Sequence, residues 1–202
     1  LGDTFDRRKY VNFYSYKRAR EMFFDRLHQH DIKVFMLAGN HDTYFKNTNE
    51  VNSMDVLYGD RAGFTYIQEP VEIDLGCKML MMPWICTENY DRCMEMIKNT
   101  DAQILFGHLE LQGFEMYKGQ PNDHGFDPKI FDKFDMVFSG HFHHKSSRGN
   151  IHYLGAPYEM TWSDWDDPRG FHIFDTEKFV IKQFTNQDIA ADFINMLVEK
   201  DS

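Results

Sequence analysis

The amino-acid sequence predicts an α/β (α+β) fold, most simply a four-layer αββα sandwich in which helices cover two packed sheets. Two observations support this fold class. Strand-like apolar runs alternate with amphipathic helical segments in the first part of the chain, and a strand-rich stretch follows near its end. No repeat, low-complexity tract or Gly/Ser/Pro-rich linker interrupts the sequence before about residue 185. We therefore expect one domain over residues 1–185 and a C-terminal helix in residues 186–202.

The predicted elements follow from local periodicity. Residues 14–30 carry apolar side chains at roughly helical spacing and polar ones between them, which indicates an amphipathic helix. Short apolar runs bounded by turn residues indicate strands. The remaining elements are, in chain order, a strand at 33–38, a helix at 53–58, strands at 65–69, 71–75 and 78–82, a helix at 89–98, a strand at 103–106, a Gly- and Asp-rich loop at 113–127, and strands at 135–139, 150–154, 170–174 and 179–184. A last helix is expected at 188–199, with Asp188 as its N-cap.

Composition limits the function classes. The chain has 202 residues, 42% of them hydrophobic, and a formal net charge of -10, which is ordinary for a packed domain. We expect a cytoplasmic protein without a membrane span, because no apolar run is long enough, LGDTFDRR does not resemble a secretory signal, and the cysteines are few. The acidic total argues against coating nucleic acid by charge alone. It does not exclude a nuclease whose carboxylates gather around metal ions.

Four segments share one design, in which an apolar run is followed by glycine and then by side chains that can bind a metal ion. They are Leu1-Gly2-Asp3, Gly39-Asn40-His41-Asp42, Gly107-His108 and Gly140-His141-Phe142-His143. Ligands collect at the carboxyl ends of strands in open α/β sheets, so we expect these side chains to meet. Glycine is expected there because a chain that leaves a strand sharply often needs dihedral angles that a Cβ atom forbids.

The convergent side chains offer oxygen and nitrogen donors and no thiolate. The metal ligands predicted on this basis are Asp3, Asn40, His108, His141 and His143. This donor set suits Mn(II), Fe(II) or Zn(II). A carboxylate such as Asp3 can bridge two ions about 3.5–4 Å apart, the arrangement that two-metal phosphoester hydrolysis uses.

Three further residues are predicted to act on the substrate. His41 would stabilise the phosphoryl oxygens and protonate the leaving alkoxide. Asp6 would hydrogen-bond the His41 ring, and Arg7 would clamp a phosphate oxygen with its planar guanidinium. The basic group Arg7-Arg8-Lys9 could equally be a solvated turn.

Each motif also has a purely structural interpretation that involves no catalysis or metal binding. GNHD alone could be a turn, His108 a core histidine, and His143-His144 a solvated turn, although four such motifs together make coincidence improbable. Outside the motifs, His124 could line a DNA cleft or simply be exposed. The aromatic residues Tyr117, Trp162 and Trp165 could stack on bases, and the tryptophans could instead pack under the metal loops.

The order GD, GNHD, GH and GHxH resembles the calcineurin-like metallophosphoesterases. The segments GDTFDRRK, VFMLAGNHDTYFKN, GHLELQGFEMYKG and YLGAPYEMTWSDWDDPRGFHIFDT are more narrowly similar to the SbcD and meiotic-recombination-eleven nucleases, in particular their T-even phage branch. This resemblance covers nearly the whole chain. It implies that Asp3 bridges two Mn(II) ions, that Asn40, His108 and His141 bind one of them, and that His143 binds the other.

The resemblance also implies an activity and partners. It implies double-strand exonuclease and single-strand endonuclease activity on DNA in recombination and repair, an SMC-like ABC ATPase subunit of the SbcC or Rad-fifty type, and a homodimer of the full-length protein. Family members open with an Asp-x-His motif and continue into a DNA-capping region, and this sequence shows neither. We therefore expect a fragment that binds one ion weakly and is poorly active alone. Two alternatives stay open: a phosphomonoesterase on the same fold, and a catalytically incomplete scaffold or DNA-binding subunit.

Overall fold

The structure is a computed structural model, and it describes residues 1–117 and 119–189. Its helices are α1 (Phe13–Ala19), α2 (Asp25–Gln29), α3 (Ser53–Tyr58) and α4 (Tyr90–Asn99), with a π-helical segment, Arg20–Phe24, between α1 and α2. Its strands are β1 (Val34–Leu37), β2 (Phe64–Ile67), β3 (Val71–Asp74), β4 (Lys78–Met82), β5 (Ile104–Gly107), β6 (Glu115–Tyr117), β7 (Gln120–Pro121), β8 (Met136–Ser139), β9 (Ser146–Arg148), β10 (Ile151–Tyr153), β11 (Gly170–Asp175) and β12 (Val180–Thr185). Short 3-10 turns lie at Pro128–Phe131 and Trp162–Asp164.

The central sheet has six strands in the order β3-β4-β5-β8-β10-β9. Its four inner strands run parallel to one another, and the edge strands β3 and β9 are antiparallel to their neighbours. Two smaller pairs complete the sandwich, the parallel pair β1-β2 and the antiparallel pair β11-β12. Because the inner strands are parallel, their carboxyl ends lie at one edge of the sheet.

Three apolar clusters define the layers. The first packs α4 against one face of the central sheet, where Cys93 and Ile97 of α4 share a cluster with Leu80, Leu105 and Val137. Alternate residues on these strands face the second cluster on the opposite side of the sheet.

The second cluster joins the central sheet to the two smaller strand pairs. It contains Ile104 and Phe138 from the central sheet and Leu37 and Ile67 from β1 and β2, and Phe174 of β11 packs against it. The third cluster lies on the outer side of β1-β2 and is formed by Phe24, Met36, Met54 and Tyr58. The order helix, sheet, sheet, helix confirms the predicted four-layer αββα sandwich.

Most predicted elements are found within one or two residues of their expected bounds. The helix expected at residues 14–30 is helical over residues 13–29, but its middle is π-helical. The hairpin β6-β7 and the strand β9 were not predicted, because short polar strands lack an apolar alternation.

The cap predicted for the last helix is wrong by three residues. The Asp188 backbone N–H donates to Thr185 Oγ1 at 3.1 Å, and the Asp188 carboxylate accepts from the Thr185 N–H at 3.1 Å. Thr185 is therefore the N-cap, and Asp188 is the third residue of a capping box. Residues 186–189 are helical, and the rest of the predicted 188–199 helix lies outside the described residues.

Neither a membrane span nor a disulfide is found in the part of the chain that the structure describes. None of its helices combines the length and the apolar character that crossing a bilayer demands. The cysteines Cys77, Cys86 and Cys93 are all free.

We expect Leu105→Ala to lower the free energy of unfolding by about 2–5 kcal/mol, because it opens a cavity in the first apolar cluster. Leu105 is fully buried in the central sheet. Urea unfolding of the variant measures the loss. The control Val56→Ala changes a side chain that is 75% exposed, and it should cost less than about 0.5 kcal/mol. If both variants lost the same unfolding free energy, the assignment of Leu105 to the buried first apolar cluster would be wrong.

Candidate metal centre

The predicted ligands come from strand ends in both layers of the sandwich. His108 directly follows β5, and His141 lies two residues beyond β8, the neighbouring parallel strand. Asn40 lies three residues beyond β1, in the other layer. Asp3 belongs to the first residues of the chain, which have no regular secondary structure. The site therefore lies where the carboxyl ends of strands from the two layers meet.

Four ligand atoms converge on one point. His108 Nε2 lies 3.0 Å from Asn40 Oδ1 and 3.2 Å from Asp3 Oδ2. His141 Nδ1 lies 3.0 Å from Asn40 Oδ1 and 3.2 Å from His108 Nε2. Ligand atoms of Asp3, His108 and His141 all lie within 4.8 Å of one another, the only such cluster of His, Cys, Asp and Glu found among the described residues.

The protonation pattern of this group fits a cation. His108 Nδ1 lies 2.7 Å from the Leu1 carbonyl oxygen, so this nitrogen carries the ring proton and Nε2 offers a lone pair. Two of its neighbours, Asn40 Oδ1 and Asp3 Oδ2, are oxygen acceptors. Because these neighbouring atoms are all acceptors, some of their close contacts have no hydrogen atom between them and are not hydrogen bonds. A divalent cation at their centre would satisfy all of them.

Shifted pKa values keep two of the ligands free of protons. Burial, the neighbouring His108 and other nearby histidines lower the pKa of His141 to about 3, so its ring is neutral at pH 7. Burial opposes ionisation of Asp3, but its contacts with His108 and with the His41 N–H outweigh burial and lower its pKa to about 2. At physiological pH the centre therefore offers the charged carboxylate of Asp3 and the neutral ring of His141.

A buried carboxylate that was not predicted to have a structural role holds two of these loops together. Asp42 is fully buried. Its Oδ2 accepts the backbone N–H of Asp3 at 2.7 Å and that of Gly39 at 2.9 Å, and its Oδ1 accepts the Thr4 N–H at 2.9 Å. Burial raises the pKa of Asp42, and these N–H donors oppose that rise. Since Asp3 and Asn40 belong to the two loops, Asp42 fixes the distance between two ligands.

The glycines of the motifs are required mainly because neighbouring groups approach closely. A Cβ atom on Gly39 would lie 2.2 Å from the backbone nitrogen of Asp3. Gly2 has φ +89°, and a Cβ atom there would also lie 2.3 Å from His108 Nδ1. Gly2 is therefore required by its backbone dihedral angle, as the sequence predicted. Gly39 does not have a positive φ, and glycine is required there because a Cβ atom would collide with Asp3.

His41 is held beside the ligands, but Asp6 contacts it differently from the prediction. The His41 backbone N–H donates to Asp3 Oδ1 at 2.7 Å. Its ring Nδ1 donates to the backbone carbonyl oxygen of Asp6 at 2.6 Å, and the Asp6 carboxylate lies at the surface with 77% of its side chain exposed. The expected carboxylate contact is thus replaced by a main-chain contact. Because Nδ1 carries the ring proton in this contact, Nε2 is the ring nitrogen that could face a substrate.

Arg7 does not reach the ligand cluster in this structure. Its guanidinium lies 5.5 Å from the Tyr10 ring and pairs with Asp6 at 3.8 Å, and its side chain is 65% exposed. Arg8 lies closer to the site, because its Nη1 donates to Thr43 Oγ1 at 3.3 Å. Thr43 in turn donates to the Asn40 carbonyl at 3.3 Å.

His143 and His144 face different surroundings. His143 does not belong to the ligand cluster, and its Nδ1 is buried without a hydrogen-bond partner among the described residues. His144 was weighed as a solvated turn residue, but its Nδ1 donates to Asp167 Oδ2 at 2.8 Å and its side chain is only 19% exposed. A role of His143 in binding a second ion stays a prediction.

The structure gives the exposure of the residues that the sequence suggested as additional DNA contacts. Trp162 and Trp165 are 92% and 70% exposed, so the tryptophans do not pack under the metal loops. Tyr117 is partly exposed and lies 6.5 Å from the His143 ring, measured between centroids. His124 is exposed in its loop.

Trp84 was not singled out in the sequence. Its ring lies 5.2 Å from that of His141 and 6.0 Å from that of His108, which walls one side of the centre with an apolar surface. It lies two residues beyond the carboxyl end of β4, and this position at a strand end is a signal that could have identified it.

We expect Asp42→Asn to destabilise the protein by about 1.5–3 kcal/mol, because an amide nitrogen would face backbone N–H groups that now meet a charged oxygen. Chemical unfolding in the presence of a chelator isolates this effect from metal binding. Asp60→Asn, at an exposed position, is the control and should leave stability unchanged. An Asp42→Asn variant as stable as the Asp60→Asn control would contradict the role assigned to Asp42.

Comparison with known proteins agrees with this geometry. Residues 1–145 match the family described as Calcineurin-like phosphoesterase. Over 177 residues the chain is 37% identical to the protein named Exonuclease subunit 1 of Enterobacteria phage T4, a match that covers 87% of this chain and 52% of that protein. The chain thus spans about half the length of this relative. The four glycine-led motifs that predicted the family all lie within residues 1–145, and the chain belongs to the calcineurin-like phosphoesterase family.

Proposed function

We propose that this chain is the phosphoesterase part of a metal-dependent DNA phosphodiesterase that acts as a double-strand exonuclease and single-strand endonuclease in recombination and repair. The convergence of Asp3, Asn40, His108 and His141 is the observation that carries the proposal. The name of the T4 relative, an exonuclease subunit, supports a nucleic-acid substrate.

The chain's own residues have separable tasks in this reaction. Asp3, Asn40, His108 and His141 would hold a divalent ion, which when bound polarises a phosphoryl oxygen and lowers the pKa of water. Trp84 excludes water from one side of these ligands. His41 holds a proton at Nε2 when its ring is charged and would deliver it to the departing sugar oxygen.

The position of His41 suits this task. Its backbone is hydrogen-bonded to Asp3, so the ring stays at a fixed place relative to the ligands. The Asp6 carbonyl fixes the ring's orientation through Nδ1. The proposed catalytic set is therefore His41 together with Asp6, which acts through its main chain, and Arg7, whose exposed side chain would have to swing from Tyr10 onto a phosphate.

We further propose Mn(II) as the working ion and a second ion that His143 helps to bind in the complete protein. The oxygen- and nitrogen-donor set supports Mn(II), although it also suits Fe(II) and Zn(II). The word subunit in the T4 relative's name supports a partner, for which we propose an SMC-like ATPase of the SbcC or Rad-fifty type, and a homodimer of the full-length protein. Trp162 and Trp165 are exposed and available for stacking on single-stranded DNA.

The substrate class is tested by comparing two reactions of the full-length protein with its partner. We expect Mn(II)-dependent release of nucleotides from linear DNA, its loss on chelation, and its return when Mn(II) is restored. Hydrolysis of p-nitrophenyl phosphate should be slow by comparison. Fast turnover of this monoester without DNA cleavage would favour a phosphomonoesterase, and no turnover of either substrate would favour a non-catalytic scaffold.

We expect His41→Ala to reduce DNA cleavage by about 10²–10⁴-fold, because the general acid is lost while the metal ligands remain. Isothermal titration with Mn(II) should give the same affinity as the wild type. His28→Ala, at an exposed position of α2, is the matched control and should cleave normally. Cleavage by His41→Ala near the wild-type rate would show that the proton comes from another group.

A further inference from the structure

A buried ionic network lies beside the loop that carries His141. Its centre is Arg169, which is 4% exposed and lies five residues after the 3-10 turn Trp162–Asp164. The Arg169 Nη2 lies 2.9 Å from Asp164 Oδ1 and 2.8 Å from Asp167 Oδ2. Its Nη1 donates to the backbone carbonyl oxygen of His143. The guanidinium thus joins two carboxylates of its own segment to the loop after β8.

The same network contacts this loop at a second point. Asp167 Oδ2, already paired with Arg169, accepts a hydrogen bond from His144 Nδ1 at 2.8 Å. The His143 carbonyl also accepts the Ala156 N–H at 3.0 Å. Two consecutive residues of the loop are therefore anchored to segments that come later in the chain.

The loop needs such anchors because of its backbone conformation. His141 has φ +79°, a left-handed conformation that is unfavourable for a residue with a Cβ atom. A residue in this region keeps its conformation only when the surrounding structure holds it there. On its amino-terminal side the chain is fixed by β8 and by the Gly140 N–H, which donates to the Gly107 carbonyl at 3.0 Å. On its carboxyl-terminal side the polar anchors include the Arg169 contact and the Ala156 N–H at the His143 carbonyl, and the Asp167 contact with the His144 ring.

We propose that Arg169 is a positioning residue of the metal centre, which holds His141 Nδ1 among the other ligand atoms by fixing the loop two and three residues further on. The inference rests on the proposed metal site and goes beyond it, because Arg169 belongs to none of the metal-binding motifs. The planar guanidinium suits this task, since its separate N–H donors reach two carboxylates and one carbonyl at once.

Mn(II) affinity of the full-length protein tests this role. Electron paramagnetic resonance counts free Mn(II) during a titration, and no substrate is needed. We expect Arg169→Met to weaken binding by about 10- to 100-fold, the usual effect of removing a group that orients a ligand. Arg169→Lys should recover part of the affinity, because an ammonium group can still pair with a carboxylate but lacks the planar set of donors.

A matched control separates positioning from general stabilisation. Arg61 is also partly buried, pairs with Asp25 and lies 5.1 Å from the Phe64 ring, on the helical side of β1-β2. Arg61→Met should lower the melting temperature of the chelated protein while leaving Mn(II) affinity unchanged. If Arg169 only stabilised the fold, its variant would behave in the same way.

Several results would overturn the proposal. One is an Arg169→Met variant that folds and binds Mn(II) as tightly as the wild type. Should that variant not fold, Asp167→Ala removes the carboxylate that both Arg169 and His144 contact, and unchanged Mn(II) affinity there would be equally decisive. A wild-type protein that binds no Mn(II) would overturn this proposal together with the proposed function. Tight Mn(II) binding that depends on Arg169, in a wild type that does not cleave DNA, would overturn only the proposed nuclease.

Discussion

The metal centre depends on the hydrogen bonds that the buried Asp42 carboxylate accepts from the backbone. Asp3 and Asn40 belong to segments that are 37 positions apart in the sequence, and Asp42 ties these segments in addition to the His41 N–H that donates to Asp3 Oδ1. The carboxylate accepts N–H groups of Asp3, Thr4 and Gly39, so one side chain ties both segments. A charged acceptor makes hydrogen bonds of this kind stronger than a neutral one does. The GNHD motif therefore supplies both a proposed ligand, Asn40, and the group that positions it, Asp42.

Pairing and packing of the strands determine where the other residues of the site lie. Parallel pairing of β5 with β8 places His108 and His141 side by side at one sheet edge, and the second apolar cluster brings the end of β1 against that edge. Packing alone does not determine the loop after β8, because His141 has a left-handed backbone. The polar contacts of the His143 carbonyl and the His144 ring compensate for this. Apolar layers thus set the approximate position of each ligand, and buried polar groups set the final distances.

The sequence was sufficient for the fold class, for most strands and for the convergence of Asp3, Asn40, His108 and His141, because an apolar run followed by glycine and a polar side chain is a local pattern. It was insufficient where a contact involves the backbone or residues distant in sequence. The Asp6 carbonyl that meets His41 has no side-chain signature, and the prediction therefore chose the carboxylate. The Arg169 contact with residue 143 joins positions 26 apart with no shared periodicity. The π-helical segment after Ala19 was missed because it is about one turn long and lies between two α-helices, which is too short to change the apolar period of the whole segment.

The central claim is that atoms from four distant segments surround a divalent cation. The most direct measurement is an anomalous-scattering map from crystals of the full-length protein soaked with Mn(II). We predict a peak among Asp3 Oδ2, Asn40 Oδ1, His108 Nε2 and His141 Nδ1, within coordination distance of all four atoms. No peak among these atoms at saturating Mn(II), or a peak bound by other residues instead, would contradict it.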